Sequence, residues 1–126
     1  MKLQIEGQQL RVRVDEGELA QLLAGQTVAA RTQFADAFAI DMTLRLRPGD
    51  EATFAGRAEA WLIDLPEAAV REHAARLPTR DGLRFRLATR TEAAALELLF
   101  DVDVRDSMRR RGPRAAPTRQ TKSAAP

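Results

Sequence analysis

The chain has no cysteine and no tyrosine, and only one tryptophan, one histidine and five phenylalanines among its 126 residues. Without cysteine there is no disulfide, no thiolate metal site and no cysteine nucleophile, a composition that fits a reducing compartment. A single histidine, His73, cannot build a multi-histidine metal site. The only serines, Ser107 and Ser123, stand at and beyond the end of the patterned region and offer no Ser–His–Asp order. The seven glycines are dispersed, and GxGxxG, Walker A and HExxH motifs are all missing. No apolar run approaches the roughly 18–20 residues of a membrane-spanning helix. Met1-Lys2 leads into an alternating pattern rather than an apolar signal region. These absences set the expectation: cytoplasmic, without cofactor, metal site, catalytic residues or membrane partner.

What is present is alternation. Phe38, Ile40, Met42, Leu44 and Leu46 are apolar, with Ala39, Asp41, Thr43 and Arg45 between them, which is the pattern of a strand with one buried and one wet face. Arg47-Pro48-Gly49-Asp50 then turns the chain. Residues 2–14 alternate around Gly7-Gln8 and predict a β-hairpin. Asp15 caps a short helix carrying Leu19, Leu22 and Leu23 on one stripe and stopping at Gly25. Residues 27–34 predict a strand. Residues 52–57 and 60–65 predict either one long bent strand or two short ones. Pro66 takes the first position of a second helix running to about Arg76, with Val70, His73 and Leu77 on one face. Leu83–Leu87 and Leu96–Val104 alternate and pair as a hairpin, Phe85 facing Phe100 or Leu98. No internal repeat of 20–50 residues is apparent.

The expected fold is therefore α+β: one antiparallel, twisted sheet or half-barrel of about six to eight strands with two short helices over residues 1–107. Antiparallel order follows from connections too short for crossovers. Exposed sheet edges leave room for a homodimer. Residues 108–126 lose all apolar patterning and read as a disordered tail. That tail holds Arg109, Arg110, Arg111, Arg114, Arg119 and Lys122 and no acid, so it is about +6 while the rest is about −4. A segment of this charge is the candidate polyanion-binding element, with salt-sensitive, sequence-independent affinity for nucleic acid.

The opening KLQIEGQQLRVRV, the strand-then-helix WLIDLPEAAVREHAARL and the closing GLRFRL and LELLFDVDVRD resemble a family of small, functionally uncharacterised bacterial proteins. The resemblance covers about residues 1–107. It implies an ordered small domain and carries no activity, cofactor or site residue with it.

Three constellations invite chemistry. His73 reads as structural, with Glu72 or Asp64 as its hydrogen-bond partner, because a general base needs a nucleophile or ligand nearby. Glu97, Asp101 and Asp103 share one face of a strand; they offer oxygen ligands to Mg²⁺ or Ca²⁺, or neutralise Arg84 and Arg86 across a hairpin, the reading preferred here. Arg11, Arg13, Arg45, Arg47, Arg84 and Arg86 all take wet positions, but Phe38, Phe54, Phe85 and Phe100 take the opposite parity, unlike a stacking nucleic-acid platform. The functional expectation is a non-enzymatic interaction or accessory module with a protein partner. The alternatives are weak nucleic-acid binding through the tail and a carboxylate-based divalent-metal enzyme.

Overall fold

The computed structural model describes residues 1–104, and the basic segment 108–126 lies outside the described residues. The chain forms β1 (Lys2–Glu6), β2 (Gln9–Asp15), α1 (Glu16–Leu23), β3 (Val28–Phe34), β4 (Phe38–Arg47), β5 (Thr53–Arg57), β6 (Ala60–Pro66), α2 (Glu67–Ala75), β7 (Leu83–Leu87) and β8 (Leu96–Asp103). The α1 start is a capping box: the Glu18 amide donates to Asp15 Oδ1 at 2.7 Å and the Asp15 amide to Glu18 Oε1 at 3.0 Å. This satisfies two of the otherwise orphaned groups of a helix start. Pro66 ends β6 and sits at the N-cap of α2 rather than inside its first turn.

Eight strands and two helices match the expected α+β content, but the sheet is not one and not wholly antiparallel. Two four-stranded sheets form, ordered β1-β2-β8-β7 and β3-β4-β6-β5. Their four hairpin pairings are antiparallel, whereas β2 with β8 and β4 with β6 run parallel. Short connections do force antiparallel hairpins. They place no constraint on how two hairpins meet side by side, whether their paired strands are 19 residues apart as in β4–β6 or 88 as in β2–β8.

The order of elements reveals a duplication that direct inspection for repeats misses. β1-β2-α1-β3-β4 is followed by β5-β6-α2-β7-β8, and Lys2, Gln9 and Glu16 have counterparts 51 residues later in Thr53, Ala60 and Glu67. Each sheet takes one hairpin from each half, so the halves are interlocked. Only periodicity is shared: Leu10, Val12, Val14, Leu19 and Leu22 correspond to Trp61, Ile63, Leu65, Val70 and His73, with no identity among them.

The inner faces of both sheets and the two helices build one core. Leu10, Val12, Val14, Leu98, Phe100 and Val102 of the first sheet meet Val28, Leu44, Ile63 and Leu65 of the second, together with Leu19, Leu22 and Val70 of the helices. With a single aromatic fully buried among them, aliphatic side chains fill most of that volume. The strand 38–46 keeps only part of its expected burial: Met42 and Leu44 are buried, but Phe38 is 56% exposed. The cause is length. β3 and β4 have seven and ten residues against five and eight in their counterparts β7 and β8, so their hairpin outruns the layer that would cover it.

Gly56 has φ +99° and faces Trp61 across the β5–β6 ladder. A Cβ there would lie 2.1 Å from the Ala60 carbonyl oxygen, which is backbone and has nowhere to go. Gly56→Ala is expected to cost about 2–3 kcal/mol from combined clash and left-handed backbone strain. Urea unfolding monitored by circular dichroism measures it. A loss below about 0.5 kcal/mol contradicts the geometry.

Candidate functional site

Three places in the described structure carry chemistry: a carboxylate between two arginines, a buried histidine, and apolar side chains left at hairpin tips and edges.

The first lies on the parallel β2–β8 seam. Register places Arg13 beside Asp101 and Arg11 beside Leu99. Arg11 Nη2 donates to Asp101 Oδ2 at 2.6 Å, while Arg13 donates to the same oxygen through Nη2 at 2.9 Å and Nε at 3.2 Å. Burial alone would raise the carboxyl pKa, but the two guanidiniums outweigh it and hold Asp101 below its ordinary value. The corresponding position of the β4–β6 seam carries the same pair with its signs exchanged: Arg45 Nε donates to Asp64 Oδ1 at 2.6 Å. That bond raises the Arg45 pKa further.

This rearranges the expected charge network. Asp101 is neutralised from β2, not by Arg84 or Arg86 on β7. Glu97 is the carboxylate that Arg84 reaches, at 3.4 Å, and Gln9 also donates to it at 3.0 Å. Arg86 pairs instead with Glu92. Among the described residues no group of three metal-ligating side chains converges. The six outward arginines separate as well. Arg11, Arg13, Arg84 and Arg86 belong to the first sheet, Arg45 and Arg47 to the second, and they make no single patch.

His73 is 2% exposed, and among the described residues neither ring nitrogen has a hydrogen-bond partner. The expected partners are spent elsewhere: Asp64 on Arg45, and Glu72 on Arg76 at 3.4 Å along α2. The ring packs edge-on to Phe100 with centroids 6.5 Å apart. Burial lowers its pKa, Arg76 lowers it further and Asp101 opposes them, so the imidazole is held neutral. It occupies the place that Leu22 fills in the other half, and it acts as a core side chain.

The third feature was not legible as a site. Ile5, Phe34, Phe38 and Phe54 are exposed large hydrophobics. Ile5 sits beside the β1–β2 turn, and Phe34 and Phe38 flank the β3–β4 turn with ring centroids 5.0 Å apart. Phe54 lies on edge strand β5, 5.5 Å from Trp61, and lines an open groove of about 870 Å³ with Thr53, Arg84, Phe85, Leu87 and Leu96. Alternation assigns Ile5, Phe38 and Phe54 to the buried parity and leaves Phe34 unassigned, and the signal that they are wet is the extra length of their hairpin or their position on an edge.

The candidate polyanion-binding residues Arg109, Arg110, Arg111, Arg114, Arg119 and Lys122 lie outside the described residues. Among the described residues no helix is long and apolar enough to cross a membrane. No family model, curated protein or solved structure matches the chain.

Two acid-sensitive terms follow. His73 has a depressed pKa, so below its ordinary value of 6.5 the unfolded chain binds more protons than the folded one. Stability is full above 6.5 and falls as pH drops beneath it. Asp101, depressed from 3.8, adds a second loss below that value. His73→Leu restores the residue type of its counterpart and removes an unpartnered buried group, so it is expected to stabilise the fold by about 1 kcal/mol at neutral pH. It also flattens the pH dependence between 6.5 and 4 while leaving the lower loss intact. Melting curves of both proteins across pH 3–8 check this, and a destabilised, still pH-dependent His73→Leu overturns it. Asp101→Asn leaves two guanidiniums facing each other around a neutral amide and is expected to cost about 2 kcal/mol, discounted for the partial exposure of the arginines.

Proposed function

We propose that this protein is a non-enzymatic interaction module whose principal contact is the aromatic tip of the β3–β4 hairpin. The observation that carries the reading is the Phe34–Phe38 pair, 45% and 56% exposed at the end of an overlong hairpin. Exposed aromatic side chains gathered at one place, rather than scattered singly, mark contact surfaces. Two rings also supply large apolar area at small entropic cost, since each has only two side-chain torsions. The titratable groups that a reaction could recruit are engaged structurally: Asp101 in two ion pairs, His73 in the core. A protein partner is the reading they favour.

A second reading rests on the charge of the C-terminal segment. Six basic residues and no acidic ones in 108–126 supply a sequence-independent attraction for nucleic acid.

Phe34→Ser/Phe38→Ser is expected to leave thermal stability within about 1 kcal/mol of the parent, because the rings are largely wet. It should abolish recovery of a specific partner in cross-linking from the native cell extract. Turnover of any small molecule that disappears in His73→Leu or Asp101→Asn overturns the non-enzymatic reading. For the second reading, anisotropy with labelled DNA and RNA compares the full chain with a variant carrying glutamine at the six basic tail positions. Binding lost in that variant, with a logarithmic salt slope near 0.7–0.9 per phosphate contact, supports it; equal binding by both proteins rules it out.

A further inference from the structure

The duplication makes each sheet a control for the other. In the first sheet, the central row of outward side chains across the strands is Gln4, Arg11, Leu99, Arg84. In the second, the row at the corresponding height is Ala55, Leu62, Thr43, Ala29. Leu62 stands where the first sheet has Arg11, and Ala29 and Ala55 where it has Arg84 and Gln4. At three of the four positions a long polar side chain of the first sheet has a short or apolar counterpart in the second, and at the fourth Leu99 has Thr43. Hydrophobic content does not require this, because the core side chains come from the opposite faces of both sheets.

Above and below this low row run two charged ones. Arg45 and Asp64 are paired across β4 and β6 on one side, while Arg31 and Asp41 are paired across β3 and β4 at 3.0 Å on the other. Arg57 on β5 lies 4.0 Å from Glu59. The charges are compensated sideways within the sheet, so nothing uncompensated stands in the middle of the face.

We infer that the outer face of the β3-β4-β6-β5 sheet is a self-association surface that packs against the same face of a second copy of this chain. Sheets pack face to face about 10 Å apart with strands nearly aligned. A two-fold axis running along the strands between β4 and β6 lays β4 over β6 of the second copy. Thr43 then opposes Leu62 of the partner subunit, closing the low row. Arg45 opposes Asp64 of the partner subunit and Asp64 opposes Arg45 of the partner subunit, so four charges alternate around the axis. This self-complementarity selects a second copy rather than an unrelated partner. Four strands about 4.8 Å apart along the pleated length of β4 give a flat face on the order of 500 Å² per copy, which places the dimer among small, reversible interfaces. The inference rests on the reading of the molecule as an interaction module but uses a different surface, so failure here leaves the Phe34–Phe38 contact untouched.

Sedimentation velocity of the full chain at tens of micromolar is expected to show twice the 14.0 kDa monomer mass. Leu62→Arg, which installs the residue that the first sheet tolerates at the same position, should halve it. Leu99→Arg on the other sheet should not. Because the chain has no cysteine, a cross-link adds an independent readout. Leu62→Cys chains treated with a bis-maleimide of about 10 Å reach should form a covalent dimer, and Leu99→Cys chains should form little. A monomeric parent at these concentrations, a dimer indifferent to Leu62→Arg, or dissociation by Leu99→Arg alone each overturns the inference. Should Leu62→Arg lose its circular dichroism signal, the Leu62→Cys cross-link decides: its absence overturns the proposal.

Discussion

The fold depends on two parallel seams, β2 against β8 and β4 against β6. Every other strand pairing is a local hairpin that forms between neighbours in sequence, and an isolated hairpin is marginal in water. The seams join hairpins from opposite halves of the chain, and they are where Val12, Val14, Leu44, Ile63, Leu65, Phe100 and Val102 enter the common core. Each seam is marked on its wet side by one cross-strand ion pair at the equivalent position, Arg13 with Asp101 and Asp64 with Arg45. Exchanging the signs keeps each pair matched within its own seam. It also mismatches the seams against each other, because a β2–β4 pairing would oppose Arg13 to Arg45 and a β6–β8 pairing would oppose Asp64 to Asp101. Like charges directly opposed are destabilising, so the reversal discriminates between hairpins whose apolar patterns are otherwise interchangeable.

Interlocking has a second consequence. Neither half encloses a core of its own, so substitutions in one half are felt in the other. Asp101 of the second half is held by Arg11 and Arg13 of the first, and Arg71 of α2 donates to the Leu23 carbonyl at the end of α1 at 2.8 Å. Differences between the halves then become informative. Where a position keeps its character, as Val12 and Ile63 do, the fold demands it. Where it does not, as with Arg11 and Leu62, the fold accepts either residue.

The sequence made the elements legible and the assembly illegible. Period-two alternation located β1, β2, β4, β7 and β8 because each has one face in the core. Asp15 as cap with Leu19, Leu22 and Leu23 on one stripe placed α1, and the β7–β8 register put Phe85 opposite Leu98, one of its two expected partners. Alternation says which parity faces inward but not where the covering layer stops, so Phe38 reads as core and is exposed. Nor does it say which hairpin lies beside which. The parallel neighbours β2 and β8 lie 88 residues apart and leave no local mark, so alternation alone places the charge partners of Asp101 on β7 rather than β2. The duplication was hidden for a related reason: the offset is 51 residues from β1 to α1 but 55 between Val28 and Leu83 and 56 between Leu44 and Phe100, and none of the buried identities is kept. The unpartnered state of His73 had no sequence signal except that its counterpart is a leucine.

Native-state amide hydrogen exchange tests the interlocked account most directly. If the seams hold one cooperative unit, the slowest amides of β2, β4, β6 and β8 share a single opening free energy equal to that of global unfolding, with the edge strands β1, β3, β5 and β7 exchanging faster. Two distinct opening free energies, one for residues 1–47 and another for residues 53–103, would contradict it, because they would mean that each half folds on its own.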